Sequence, residues 1–304
     1  MTHSCILDKN SLEQIVSGDF KVPDGLSPTD CLPELMHNLG SIDSDTRENS
    51  LEVLWSWISN SIYSDEVLVS IASQMAANLT TGLGEKDSDS VFLRAFSTLI
   101  LAAVIEADLA RLDEKKPHLL NQNQILSWLS TTIKLLKEEK DLRGFVEAKG
   151  WAHCCAHTGD LLSDFAIHPY LGKKELEEIL NSLQARFTTP VEQAFVHNED
   201  ERLAAVVMNI LQRELVTEEF FKTWLDGFVS NPERMDWKKA FTHPTWNCAR
   251  VNTKAFLRGI YFFLIYGYKD RPEHRKVAMA EKMKPMLLST LKQIYPNSRY
   301  ADLI

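Results

Sequence analysis

Asp87-Ser88-Asp89-Ser90-Val91-Phe92-Leu93-Arg94-Ala95-Phe96-Ser97-Thr98-Leu99-Ile100-Leu101-Ala102-Ala103-Val104-Ile105 opens on short polar and acidic residues and passes into a periodic apolar segment. Side chains of that kind accept from the unpaired N–H groups of a first helical turn, and their charge suits the positive end of the helix dipole. The pattern recurs at Ser27-Pro28 before Cys31, Asp43 to Asp45 before Leu51, and Ser64-Asp65-Glu66 before Val67. It returns at Asn121 before Ile125, Asn198-Glu199-Asp200 before Leu203, and Thr217-Glu218-Glu219 before Phe220. Stops are read at Gly40, Gly82-Leu83-Gly84, Gly172 and Gly267, and at Pro117, Pro169, Pro190, Pro232, Pro244 and Pro272. The segments between them run mostly to about 12 to 24 residues, the spacing of helical hairpins. Alternating apolar and polar runs of strand length are almost lacking, so the fold class is all-α.

Of 304 residues, 44% are hydrophobic and 25% charged, a balance that supplies a large core and differs from that of disordered chains. Residues 1–304 are expected to form a single helical domain, since helical arrays of this length run as one unit. An internal echo supports stacking: Phe92-Leu93-Arg94 and Phe256-Leu257-Arg258 each lead into an apolar run, and Asp45-Thr46-Arg47 and Asp200-Glu201-Arg202 each precede an apolar helix. The expected architecture is an irregular α-α superhelix of HEAT-like hairpins, with a compact helical bundle as the alternative.

A net charge of −9 argues against a nucleic-acid backbone as the main partner, though it leaves room for a local basic patch. Five cysteines, with Cys154 and Cys155 adjacent, do not make a disulfide framework; reduced thiols and a cytoplasmic location are expected. Met1 to Asp8 lacks the basic start and long apolar run of a signal peptide. The runs Leu99 to Ile105 and Ile260 to Tyr266 are each far short of the roughly 18 apolar residues that span a bilayer, so no membrane span is expected.

The most unusual stretch is Arg143-Gly144-Phe145-Val146-Glu147-Ala148-Lys149-Gly150-Trp151-Ala152-His153-Cys154-Cys155-Ala156-His157-Thr158-Gly159-Asp160-Leu161-Leu162. Projected as a helix from Trp151 to Phe165, it separates into three faces. Trp151, Cys154, Cys155, Leu161, Leu162 and Phe165 form a bulky apolar face, and Ala152, Ala156, Gly159 and Ser163 form a stripe of small residues. His153, His157, Asp160 and Asp164 form a titratable stripe. Two imidazoles at i and i+4 have the spacing with which one helix offers two ligands to a divalent metal, and Asp160 or Asp164 can ligate or orient them. Further ligands must come from elsewhere, with Glu147, His197 and Asp200 as candidates. The same stripe also suits a solvated or hydrogen-bonded face, or a groove that takes a partner. Arg143 and Glu147 can form a local ion pair, the two cysteines read as buried and inert, and His197 with Asn198 to Asp200 reads as a helix start. Trp55, Trp57, Trp128, Trp224 and Trp246 are expected in the core.

These residues resemble an uncharacterised, mostly bacterial family, the domain of unknown function numbered 2785. The resemblance rests on the stretch from Arg143 to Leu162, with Val91-Phe92-x-Arg94, Glu199-Asp200-x-Arg202-Leu203-Ala204 and Asn252-x-Lys254-x-Phe256-Leu257-Arg258 in support. It covers about residues 40–270 and implies an all-helical fold; it carries no catalytic role.

Two functions lead, and a DNA-binding helical array, including glycosylase-like enzymes, comes third because the net charge opposes it. The first is a cytoplasmic binding or scaffold module, with a groove lined by Arg143, Glu147, Lys149, Trp151, His153, His157, Asp160, Asp164, His197 and Asp200, for a protein, peptide or small ligand. The second is a hydrolase in which His153 and His157 hold a divalent metal, Asp160 or Glu147 is the general base, and Arg143 or Lys149 meets developing negative charge. Whether the chain is an enzyme is left open by the sequence.

Overall fold

The computed structural model describes residues 7–230, 237, 239–267 and 278–294. Pro232, Pro272 and the first six residues, including Cys5, fall outside them. The described residues are all-α, with twelve α-helices and a single pair of two-residue strands. By internal packing the chain divides into two compact units, Met1–Asp164 and Phe165–Ile304.

The first unit holds α1 (Lys9–Ser17), α2 (Pro28–Asn38), α3 (Ser44–Ser59), α4 (Asp65–Asn78), α5 (Ser90–Asp113) and α6 (Gln122–Glu138). Strands β1 (Phe145–Val146) and β2 (Gly150–Trp151) follow, and α7 (Cys154–Ile167) runs through the boundary into the second unit. The caps read from sequence act as expected at α2, α3 and α4, where Ser27, Asp43 and Ser64 accept from the N–H groups of Asp30, Thr46 and Val67. At α6, Asn121 and Gln124 form a reciprocal capping box. Helix α5 is the centre of this unit, with α3 and α4 packed on it. As a whole helix α5 is long and apolar enough to cross a membrane, which the shorter contiguous run Leu99 to Ile105 conceals. Within the fold, 72% of its most apolar stretch is buried, and it carries Arg94 and Asp108 into the interior.

The second unit holds α8 (Lys173–Thr188), α9 (Glu199–Gln212), α10 (Glu218–Asp226), a 3-10 turn at Lys239–Phe241, α11 (Pro244–Tyr266) and α12 (Ala278–Ile294). Helix α11 packs along α9, where Ala204 lies 3.4 Å from the position a side chain on Gly259 would take, so the two backbones approach closely. Phe187 and Phe256 stack with ring centroids 4.1 Å apart in the core. Two punctuation residues act differently from the reading above. Pro244 starts α11 at a position whose N–H needs no helical partner, and Gly172 is the N-cap of α8.

Candidate functional site

The stretch from Arg143 to Leu162 is not one helix from Trp151 onward. Phe145 pairs with Trp151 and Val146 with Gly150 in a small antiparallel hairpin. The ladder continues through Ala152 N–H to the Gly144 carbonyl and His153 N–H to the Arg143 carbonyl. Helix α7 begins only at Cys154, and His153 precedes it at φ +55°, its carbonyl accepting the His157 N–H. The turn needs left-handed backbone at Ala148 and Gly150. At Gly150 the requirement is double, because φ is +76° and an added Cβ would stand 2.9 Å from the Ser44 Cβ.

This geometry takes Trp151 off the apolar face to which a helical projection assigns it and builds a continuous row of rings. Phe145, 55% exposed, meets Trp151, 40% exposed, edge-on at 5.3 Å. Trp151 stacks on His153 at 5.0 Å, His153 meets His157 at 5.5 Å, and His157 meets Phe96 at 5.7 Å. Both imidazoles are buried. The His157 Nδ1 lies 3.2 Å from the Ala95 carbonyl oxygen, which makes Nδ1 the donor and fixes the ring's orientation.

The surrounding cations are tied to carboxylates. Arg143 grips Asp141 through Nε at 2.8 Å and Nη2 at 2.6 Å and also donates to the Ser88 carbonyl, so its partner is Asp141 and not Glu147. Lys149 reaches both carboxylate oxygens of Asp89, at 2.6 and 2.8 Å. Glu147 is exposed in the hairpin turn, while Asp160 and Asp164 are half-buried along α7. Beneath the hairpin, the fully buried Arg94 makes a two-pronged pair with Glu139 at 2.7 and 3.0 Å. The echo with Phe256-Leu257-Arg258 therefore holds for the fully buried Phe92 and Phe256 but not for the arginines, since Arg258 is exposed. Cys154 and Cys155 are buried, and burial with Glu139 nearby pushes the Cys154 thiol well up, away from a reactive thiolate.

His197 and Asp200 belong to the second unit. There the His197 N–H donates to Glu199 at 2.8 Å, and Asn198 takes left-handed backbone at the start of α9. Burial, with Glu199 and Glu201 adding to it, raises the Asp200 carboxyl above its ordinary value. Trp57, Trp128 and Trp224 are in the core as expected, whereas Trp55 and Trp246 are half-buried.

Sequence reasoning missed the hairpin and its main anchor, Arg47, although Gly144 and Gly150 flanking a short apolar and charged run were a turn signal. Arg47 is fully buried and donates to the carbonyls of Ser41, Lys149 and Trp151. Its guanidinium also lies 4.2 Å from the Phe92 ring centre and 4.8 Å from that of Phe96.

No curated protein and no solved structure matches the chain. The family described as protein of unknown function (DUF2785) matches residues 79–262, a span that takes in the hairpin, α7, α9 and most of α11 but leaves Arg47 outside. With more than half of its length matched, the chain belongs to that family.

Proposed function

We propose that the protein is a cytoplasmic binding or scaffold module that takes a peptide or small ligand at the hairpin and the start of α7. The observation that carries this reading is the ring row, which presents Phe145 and Trp151 at the surface and continues inward to His153 and His157. Exposed aromatic rings give a partner apolar area with little entropy to lose, and Arg143, Glu147 and Lys149 of the hairpin, with Asp160 and Asp164 farther along α7, would add polar contacts. Within each unit, helical hairpins stacked as in HEAT-type arrays would provide the rigid support such a surface needs.

One observation favours the second reading, a metal-dependent hydrolase. A His157 imidazole that donates from Nδ1 to a backbone carbonyl has the orienting contact typical of metal-binding histidines.

A displayed peptide library selected on the untagged protein tests the first reading, with the Phe145→Ala/Trp151→Ala variant as counter-selection. Enriched peptides that bind the native protein and lose about ten-fold or more in affinity on the variant support it. Equal binding to the variant overturns the hairpin as the site, and the absence of any enriched sequence overturns a peptide as its ligand. Elemental analysis separates the second reading: a near-stoichiometric divalent metal that disappears in His153→Ala/His157→Ala would replace the binding module with the metalloenzyme.

A further inference from the structure

Helix α11 carries a row that the hairpin reading does not use. Arg250, Lys254 and Arg258 follow one another at every fourth residue, about 6 Å apart along the axis at each step. Phe262 and Tyr266 continue the same spacing; both are exposed, and their rings stack at 6.0 Å with planes 14° apart. At the other end, Arg250 lies 4.7 Å over the ring of the exposed Phe241. Like charges at this spacing work against a helix. Burial, with Arg250 and Arg258 on either side, holds the Lys254 ammonium down at about 8. The Nε of Arg250 is buried without a hydrogen-bond partner among the described residues. Lys254 thus sits in a positive local field, to which an anionic ligand would be drawn.

We propose that this row binds single-stranded nucleic acid, with successive phosphates on Arg250, Lys254 and Arg258 and a base stacked on the Phe262 and Tyr266 shelf. Residues four apart drift by about 40° around a helix, so the row turns through about 160° between Arg250 and Tyr266. A flexible strand can follow that path, whereas a flat anionic bilayer meets only part of it. The row is also one backbone wide, and base stacking on exposed rings is sequence-tolerant. The net charge of −9 does not oppose this, because counterion release depends on the cations that meet phosphates.

The test uses the full chain and a fluorescent oligothymidylate of about 12 nucleotides, within the usual range of site sizes. Fluorescence anisotropy should show binding at low salt that weakens with a log–log slope of roughly −2, as about three phosphate contacts to a single strand require. Arg258→Glu should make that slope shallower by about 0.7, the share of one phosphate contact. Phe262→Ala/Tyr266→Ala should weaken binding about five-fold or more while leaving the slope unchanged. All three positions are exposed, and helical content by circular dichroism checks that the variants fold. Failure to bind at low salt, binding indifferent to Arg258→Glu, or tighter binding to phosphatidylserine vesicles than to the oligonucleotide would each overturn the proposal.

Discussion

The Arg47 guanidinium donates to the Trp151 carbonyl oxygen at 3.3 Å, joining α3 to the hairpin across 104 positions of sequence. The same nitrogen, Nη2, reaches the Lys149 carbonyl at 2.6 Å, and Nη1 reaches that of Ser41 at 2.6 Å. Its ion-pair neighbour among the described residues, Glu48, is 4.0 Å away and partly solvated. Burial therefore lowers the Arg47 pKa, and the charge is accommodated chiefly by carbonyl oxygens and the faces of Phe92 and Phe96.

Removing this clamp should loosen the hairpin. Arg47→Met removes a buried charge, which stabilises, but leaves three carbonyls without their donor, and hydrogen bonds to charged groups are each worth about 1.5 to 3 kcal/mol. The net loss expected in urea denaturation is about 3 kcal/mol, accompanied by faster hydrogen exchange at the Ala152 and His153 amides. Arg47→Lys should not restore it, because a single ammonium lacks the fork that spans Ser41 and the hairpin together. A fully stable Arg47→Met protein would show that the clamp is dispensable.

Gly150→Ala should destabilise by more than about 1 kcal/mol, since alanine gains at positive φ none of the entropy advantage it has elsewhere. Part of the cost is the clash with Ser44, 2.9 Å from the new Cβ. Ser44→Gly in the same chain should therefore recover some of it, and a double-mutant cycle should give a coupling of about 0.5 kcal/mol or more. Strict additivity would mean that the clash with Ser44 is not what demands the glycine.

Helix starts were legible because a cap is a local device: Asp43 and Ser64 act on N–H groups three residues ahead. The hairpin was not, because what holds it is remote. Nothing in the residues near Trp151 signals that Arg47 will bind its carbonyl, and helical projection of the segment hid the break at His153, where backbone at φ +55° precedes the helix. The i,i+4 relation of His153 and His157 survived nevertheless. The residue before a helix already gives its carbonyl to the first turn, so the two rings still meet at 5.5 Å. The partner of Lys149 was equally hidden, since the carboxylate that holds it comes from Asp89, 60 positions away, whereas Arg143 takes a local carboxylate, Asp141, two positions away.

Lys254 gives a pH dependence whose sign can be worked out. Burial, then the charges of Arg250 and Arg258, lower its folded pKa from 10.5 to about 8. Between these values the unfolded chain binds more protons than the folded one, so this group makes stability rise with pH. Its penalty is fully present below the folded value and disappears as pH rises towards the unfolded one. Lys254→Met should consequently be more stable than the native protein at neutral pH, with the gap closing as pH climbs from about 8 to 10.5. Because the ammonium is partly solvated, the gap should stay within about 1 kcal/mol. Melting temperatures of the two proteins across this range measure it directly. Comparing the pair cancels the titration of groups that they share. Parallel curves, or a gap that widens with pH, would mean that the local field at Lys254 is not the positive one its two arginine neighbours create.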